Sequence, residues 1–206
     1  MGTEDEVALD PSDAAQRRVL LRILLLNGGL AVVLLVGGLA ADSSGLIANA
    51  LDNTSDAIAY SVSLFAVTRS QRWRARAATI TGLMLIALAV GVVGDAARRF
   101  LAGSEPLGPA MMVLAVIAAV VNALCIKLLY GHRGEDVNLR AAWTMSINDF
   151  VSNFGILIAG TLVATLGSNW PDLAVAAAIA AVAGYGAIKT LRDAARSRNA
   201  ADPHAE

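Results

Sequence analysis

Asp52 and Asp56 lie four residues apart inside Asn49-Ala-Leu-Asp-Asn-Thr-Ser-Asp-Ala-Ile-Ala-Tyr60, a stretch otherwise apolar enough to sit in a bilayer. On an α-helix this spacing stacks the two carboxylates one turn apart on one face. Left unpaired they would repel, and each charge placed in hydrocarbon costs about 3 kcal/mol on insertion scales. Ionisable groups so placed face a bundle interior and mark an ion or proton path, so the pair is read as holding a divalent cation that moves. A third deep carboxylate, Asp149, lies in Thr144-Met-Ser-Ile-Asn-Asp-Phe-Val-Ser-Asn153. Asp56 is about 12 residues and Asp149 about 10 residues from the same side of the membrane, a difference of only a few ångströms at 1.5 Å per residue. Asn148 joins the three aspartates as a candidate metal ligand, and Met145 and Asn153, each one turn from Asp149, are further candidates. A bundle-locking polar network is the structural alternative for the aspartates, and core packing is the alternative for Met145. Oxygen donors of this kind suit manganese, iron(II), cobalt, zinc or cadmium better than copper(I), and a Met145 thioether would shift the preference toward softer ions.

The elements that must carry these residues are membrane helices. A chain of 206 residues that is 56% hydrophobic is too apolar for an ordinary soluble domain and long enough for several spans. The sequence predicts an all-α polytopic membrane protein with six transmembrane helices near 18–41, 45–68, 78–101, 108–130, 139–166 and 171–192. Gly-, Pro- and Ser-containing separators such as Gly103-Ser-Glu-Pro106 and Gly167-Ser-Asn-Trp-Pro171 support those boundaries. Arginines and lysines cluster at one set of span ends (Arg17, Arg18, Arg22, Arg69 to Arg76, Lys127, Arg133, Arg140, Lys189 to Arg198), and only Arg98 and Arg99 fall at the other. By the positive-inside rule both termini face the cytoplasm. The expected organisation is a disordered acidic tail over 1–16, a transport domain over 17–192 and a short polar tail over 193–206 with no cytoplasmic domain. Asp42, Asp95, Glu105 and Asp172 lie at outer span ends and read as solvated or capping groups, an entry-path role for Asp95 or Asp172 being the alternative, and Arg98 and Arg99 are near enough to pair with Asp95. Asn27 and Asn122 read as interhelical hydrogen-bonding residues. Cys125 is the only cysteine, so no intrachain disulfide and no Cys-based zinc motif exist. His132 and His204 are isolated and carry no metal-sensing tract.

Ser44-Gly-Leu-Ile-Ala-Asn-Ala-Leu-Asp52-Asn-Thr-Ser-Asp56 resembles the second-span signature of the cation diffusion facilitator family, and Asp149 followed by Phe-Val-Ser-Asn-Phe-Gly-Ile-Leu resembles its fifth-span element. The resemblance covers about residues 17–192 and implies efflux of a divalent metal from the cytoplasm in exchange for protons, by alternating access around a midplane site. It implies that metal ion and protons are the substrates, with no prosthetic group, no nucleic acid and no enzymatic activity. It also implies a homodimer in the bacterial inner membrane. Two departures stand out. Many members carry His or Asp where this chain has Met145, and members usually carry a cytoplasmic metallochaperone-like domain after the sixth span, so the chain is expected to be a short variant.

Two other classes compete. An intramembrane aspartyl enzyme also places aspartates in spans, but that chemistry takes one from each of two helices with a Gly-x-Gly-Asp element, and Asp95 follows Val92-Val-Gly94 near a span end. The other is a non-transporting scaffold or sensor. Metal uptake into vesicles separates both from a transporter.

Overall fold

The computed structural model describes residues 14–66, 71–130 and 137–201. Residues 1–13 of the expected acidic tail, His132 and His204 lie outside the described residues, and the tail's last three residues, expected to be disordered, are helical. Six helices follow in order: α1 (Ala14–Ala40), α2 (Ser44–Ala66), α3 (Gln71–Ala102), α4 (Gly108–Tyr130), α5 (Val137–Leu166) and α6 (Trp170–Ala201). Five of them are long and apolar enough to cross a membrane. The exception among the six expected spans is α2, which has the length but carries two aspartates, two asparagines and several hydroxyls in its middle turns. Packing inside the bundle is what makes that composition tolerable: α2 is the one helix that touches all five others. The boundaries expected for the third and sixth spans fall short of the helices. Helix α3 begins at Gln71 and α6 runs to Ala201, because the Arg- and Ala-rich flanks are good helix formers and continue the turn beyond the apolar segment.

Helices α1, α2, α5 and α4 contact one another in a ring, and α3 and α6 form a closely packed pair set against α2 and α5. Contacts run antiparallel along the sequence, Gly37 meeting Leu114, Gly82 meeting Leu191 and Gly108 meeting Gly160. The α1–α2, α3–α4 and α5–α6 connections therefore gather at one end of the bundle, termed the far end, and the described chain begins and finishes at the other, the terminal end. Leu107 N–H donates to the Ala41 carbonyl at 2.9 Å and Asn169 Nδ2 to Ser104 Oγ at 3.0 Å, tying the far-end loops together.

Local chemistry sets these turns. Gly103 and Gly167 take the left-handed conformation just past α3 and α5, as helix-stopping glycines do. After α1 the same position is filled by Asp42, with φ of +52°. Ser43 N–H donates to the Gly38 carbonyl at 2.9 Å and Asp42 N–H to Leu39 at 3.4 Å, the paired bonds of a Schellman cap. An aspartate tolerates this backbone better than most residues, and here its carboxylate is held by Arg99 and by the Glu105 N–H at 3.0 Å.

Two apolar clusters fill the interior. One joins Leu34, Leu46, Met111, Ile156 and Ile179 toward the far end, and the other joins Leu20, Ile23, Tyr60, Leu129 and Ala142 toward the terminal end. Between them, at matching depth on α1, α2, α4 and α5, lie Asn27, Asn53, Asp56, Asn122, Ser146 and Asp149, all buried. The outward faces carry exposed Leu25, Val32, Val36, Val113, Val116, Val120, Val151 and Ile158. Such apolar surfaces suit lipid and would be costly in water.

Candidate metal site

Asp52, Asp56 and Tyr60 follow one another at four-residue steps and lie on the side of α2 turned toward α5 and the α3–α6 pair. Asp149 comes from α5, which runs antiparallel to α2. A cavity of about 390 Å³ opens between these four helices. Asp52, Ser55, Asp56 and Ala59 line it from α2, and Met145, Asn148, Asp149 and Ser152 line it from α5. The opposite wall is formed by small or unreactive groups, Ala78, Thr81 and Leu85 of α3 and Ala183, Gly186, Ala187 and Thr190 of α6. All these α3 and α6 positions belong to the half of each membrane segment nearer the terminal end.

Asp56 is 4% and Asp149 2% exposed, so both carboxylates are removed from bulk solvent. Tyr60 Oη donates to Asp56 Oδ2 at 3.2 Å. Asp52 of α2 and Asp149 of α5 line the cavity from the two sides of the α2–α5 seam. Asp149 Oδ2 is buried, and no donor among the described residues reaches it. A buried carboxylate oxygen without a donor is expensive, and a cation or a proton are the two partners that remove the cost. Among the described residues no three His, Cys, Asp or Glu side chains are drawn into a ready-made metal cluster. The three aspartates share one cavity without closing on a common point.

Five of the six candidate ligands, Asp52, Asp56, Asp149, Asn148 and Met145, line this cavity. Asn153 does not. Its Oδ1 accepts from Asn49 Nδ2 at 2.7 Å on the buried α2–α5 contact, and Asn49 also receives Asn53 Nδ2 at its carbonyl at 2.9 Å. One turn from Asp149, Asn153 is rotated far enough round α5 to meet α2 instead of the cavity. Asn148 is solvent-accessible at the cavity wall, and Met145 also packs against the terminal-end apolar cluster. Asn27 is an interhelical group, its Nδ2 lying 3.7 Å from Cys125 Sγ. Asp95 accepts from Arg98 at 2.9 Å and from Arg99 Nε at 2.6 Å. Tyr60 was not singled out from sequence; its position four residues after Asp56 was the available signal.

Residues 20–197 match the family described as the cation efflux transmembrane domain. The chain is 26% identical over 175 residues to the "Cadmium, cobalt and zinc/H(+)-K(+) antiporter" of Bacillus subtilis, covering 78% of this chain and 56% of the relative. It is 28% identical over 147 residues to the "Zinc transporter ZitB" of Yersinia pestis, covering 64% and 46%. It is 23% identical over 168 residues to the "Metal cation efflux system protein CzcD" of Cupriavidus metallidurans, covering 76% and 53%. The chain spans about half the length of the curated relatives it matches.

Proposed function

The chain belongs to the cation efflux family of metal transporters and is a multi-pass protein of the bacterial inner membrane, and from that premise we propose that it exports divalent metal ions, zinc foremost, in exchange for protons. The observation that carries this reading is that Asp52, Asp56 and Asp149 line one cavity between α2, α3, α5 and α6, with Asp149 Oδ2 buried and lacking a donor. Oxygen ligands of this kind take zinc, cadmium or cobalt, the ions in the names of two of the relatives. Asn148 and the Met145 thioether complete the proposed set.

Both termini face the cytoplasm in this proposal, because the arginines and lysines gather at the terminal end. The cavity belongs to that half of the bundle, so the ion enters from the cytoplasm. Movement of the α3–α6 pair against the other four helices then exposes the site to the far side. Proton coupling follows from the carboxyls themselves. With no cation between them, carboxyls that line one cavity can hold a proton, and an arriving divalent ion must displace it. The same oxygens thus serve both substrates in turn. The aspartyl-enzyme alternative finds no support at its Gly-x-Gly-Asp-like element, where Asp95 is held in ion pairs with Arg98 and Arg99.

The test is purified protein in proteoliposomes with a pH-sensitive dye trapped inside. Zinc added outside is expected to enter and drive protons out, raising lumenal pH, while magnesium and calcium leave it unchanged. Zinc-independent dye signals, equal to those of protein-free liposomes, would reject transport.

A further inference from the structure

Asp172 is wholly buried at the far end, although it is a carboxylate in the first turn of α6. It does not serve its own helix. Its Oδ1 accepts from Ser43 Oγ at 2.6 Å and from Gly45 N–H at 3.0 Å, and its Oδ2 accepts from Ser44 N–H at 2.8 Å. Ser43 Oγ in turn accepts from Leu46 N–H at 3.1 Å. The free N–H groups that open α2, the helix of Asp52 and Asp56, are therefore satisfied by a carboxylate from α6, and the positive end of the α2 dipole favours that charge. Gly45 is required at this joint, since a Cβ there would stand 2.9 Å from Asp172 Oδ1 and 2.8 Å from Val175.

A second joint reaches the same few residues from α3. Buried Arg99 binds Asp95 through Nε, and its Nη1 donates to the Asp42 carbonyl at 2.8 Å and to the Asp42 carboxylate. Ser44 Oγ donates to Asp95 Oδ2 at 3.3 Å. Both members of the α3–α6 pair are thus fastened to the start of α2 at the far end, whereas at the terminal end the same pair stands away from α2 and α5 to leave the cavity.

We propose that Asp172, through Ser43 and the first turn of α2, is the far-side gate of the transport path: a positioning residue whose release from α2 is the step that opens the site to the far side. This rests on the transport reading above. Since all three bonds between α6 and the start of α2 end on the Asp172 carboxylate, moving α6 off α2 breaks them together. Gate opening then exposes α6 positions one turn deeper than Asp172, beginning with Ala176, which is fully buried in the closed arrangement.

The experiment labels a thiol introduced by Ala176→Cys with a membrane-impermeant maleimide, added to each face of proteoliposomes separately, with native Cys125 as internal control. Sites are resolved by peptide mass spectrometry. Asp172→Asn, which removes the charge and presents an amide donor to N–H donors, is expected to raise far-side labelling of the introduced thiol at least about tenfold. Ser43→Ala is expected to raise it less, in the same direction. Labelling from the terminal side should not rise, and buried Cys125, which sits among the other helices, should stay unreactive. Unchanged far-side labelling in both variants overturns the proposal. So does a parallel rise at Cys125, which reports general loosening of the bundle. Because labelling needs no metal flux, a failure of zinc transport in the unmodified protein is seen separately in the dye assay.

Discussion

Asp56→Ala is expected to bring zinc-driven proton movement down to that of protein-free vesicles while the protein still extracts as a folded, monodisperse species. Asp56 is nearly inaccessible, lines the cavity and receives the Tyr60 hydroxyl. Removing one member of a buried opposite-charge contact costs about 3–5 kcal/mol, and each 1.4 kcal/mol is about tenfold in affinity. A cation would thus be held about two to four orders of magnitude more weakly, below any useful occupancy. A carboxylate that merely locked helices would behave in the opposite way: its loss would lower thermal stability and leave flux per folded molecule intact. Flux and stability must therefore be measured on the same preparation, and normal flux would remove Asp56 from the site.

Gly108→Val should be as severe for folding as Asp56→Ala is for transport, for a reason remote from metal chemistry. Gly108 opens α4 against α5, where an added Cβ would lie 2.5 Å from the Gly160 carbonyl oxygen and 2.8 Å from the Ala164 backbone nitrogen. These are backbone atoms, so no rotamer change relieves the clash, and the helices must separate. Overpacking costs about 1–3 kcal/mol even where side chains can yield. Close approach at small residues is also a main source of helix association in lipid. The expected result is loss of the monodisperse peak on extraction. Gly184→Ala is the matched control: nothing lies within 4 Å of the new methyl group, and alanine is the better helix former by about 1 kcal/mol. Equal behaviour of the two variants would contradict the packing described for α4 and α5.

The helices were legible because the bilayer imposes a length, and Gly103 and Gly167 marked two of the turns. Helix ends at Gln71 and Ala201 were not, since hydropathy records where lipid ends and helix propensity continues past it. The meeting of α2 and α5 followed from depth, because antiparallel helices carrying carboxylates at one level need only be neighbours to share a cavity. Which side of α5 faces that cavity did not follow. Asn153 and Asn148 flank Asp149 with equal chemical merit, and only the packing sends the first to Asn49 and leaves the second at the cavity. The α3–α6 wall was illegible because Ala, Gly and Thr at helical spacing carry no chemical signature. Asp172 is a capping group and not a solvated one, and the helix it caps begins 128 positions earlier in the chain, a partner that no local pattern encodes.

Cobalt(II) binding to the purified protein, followed by its d–d absorption, tests the cavity assignment most directly. An ion held by Asp52, Asp56 and Asp149 should titrate with visible bands, without the intense thiolate charge-transfer band of a cysteine site, and be displaced by zinc. The spectrum should disappear in Asp52→Ala, Asp56→Ala and Asp149→Ala alike. Retention of the same bands and affinity in all three variants would place the ion elsewhere and contradict the account.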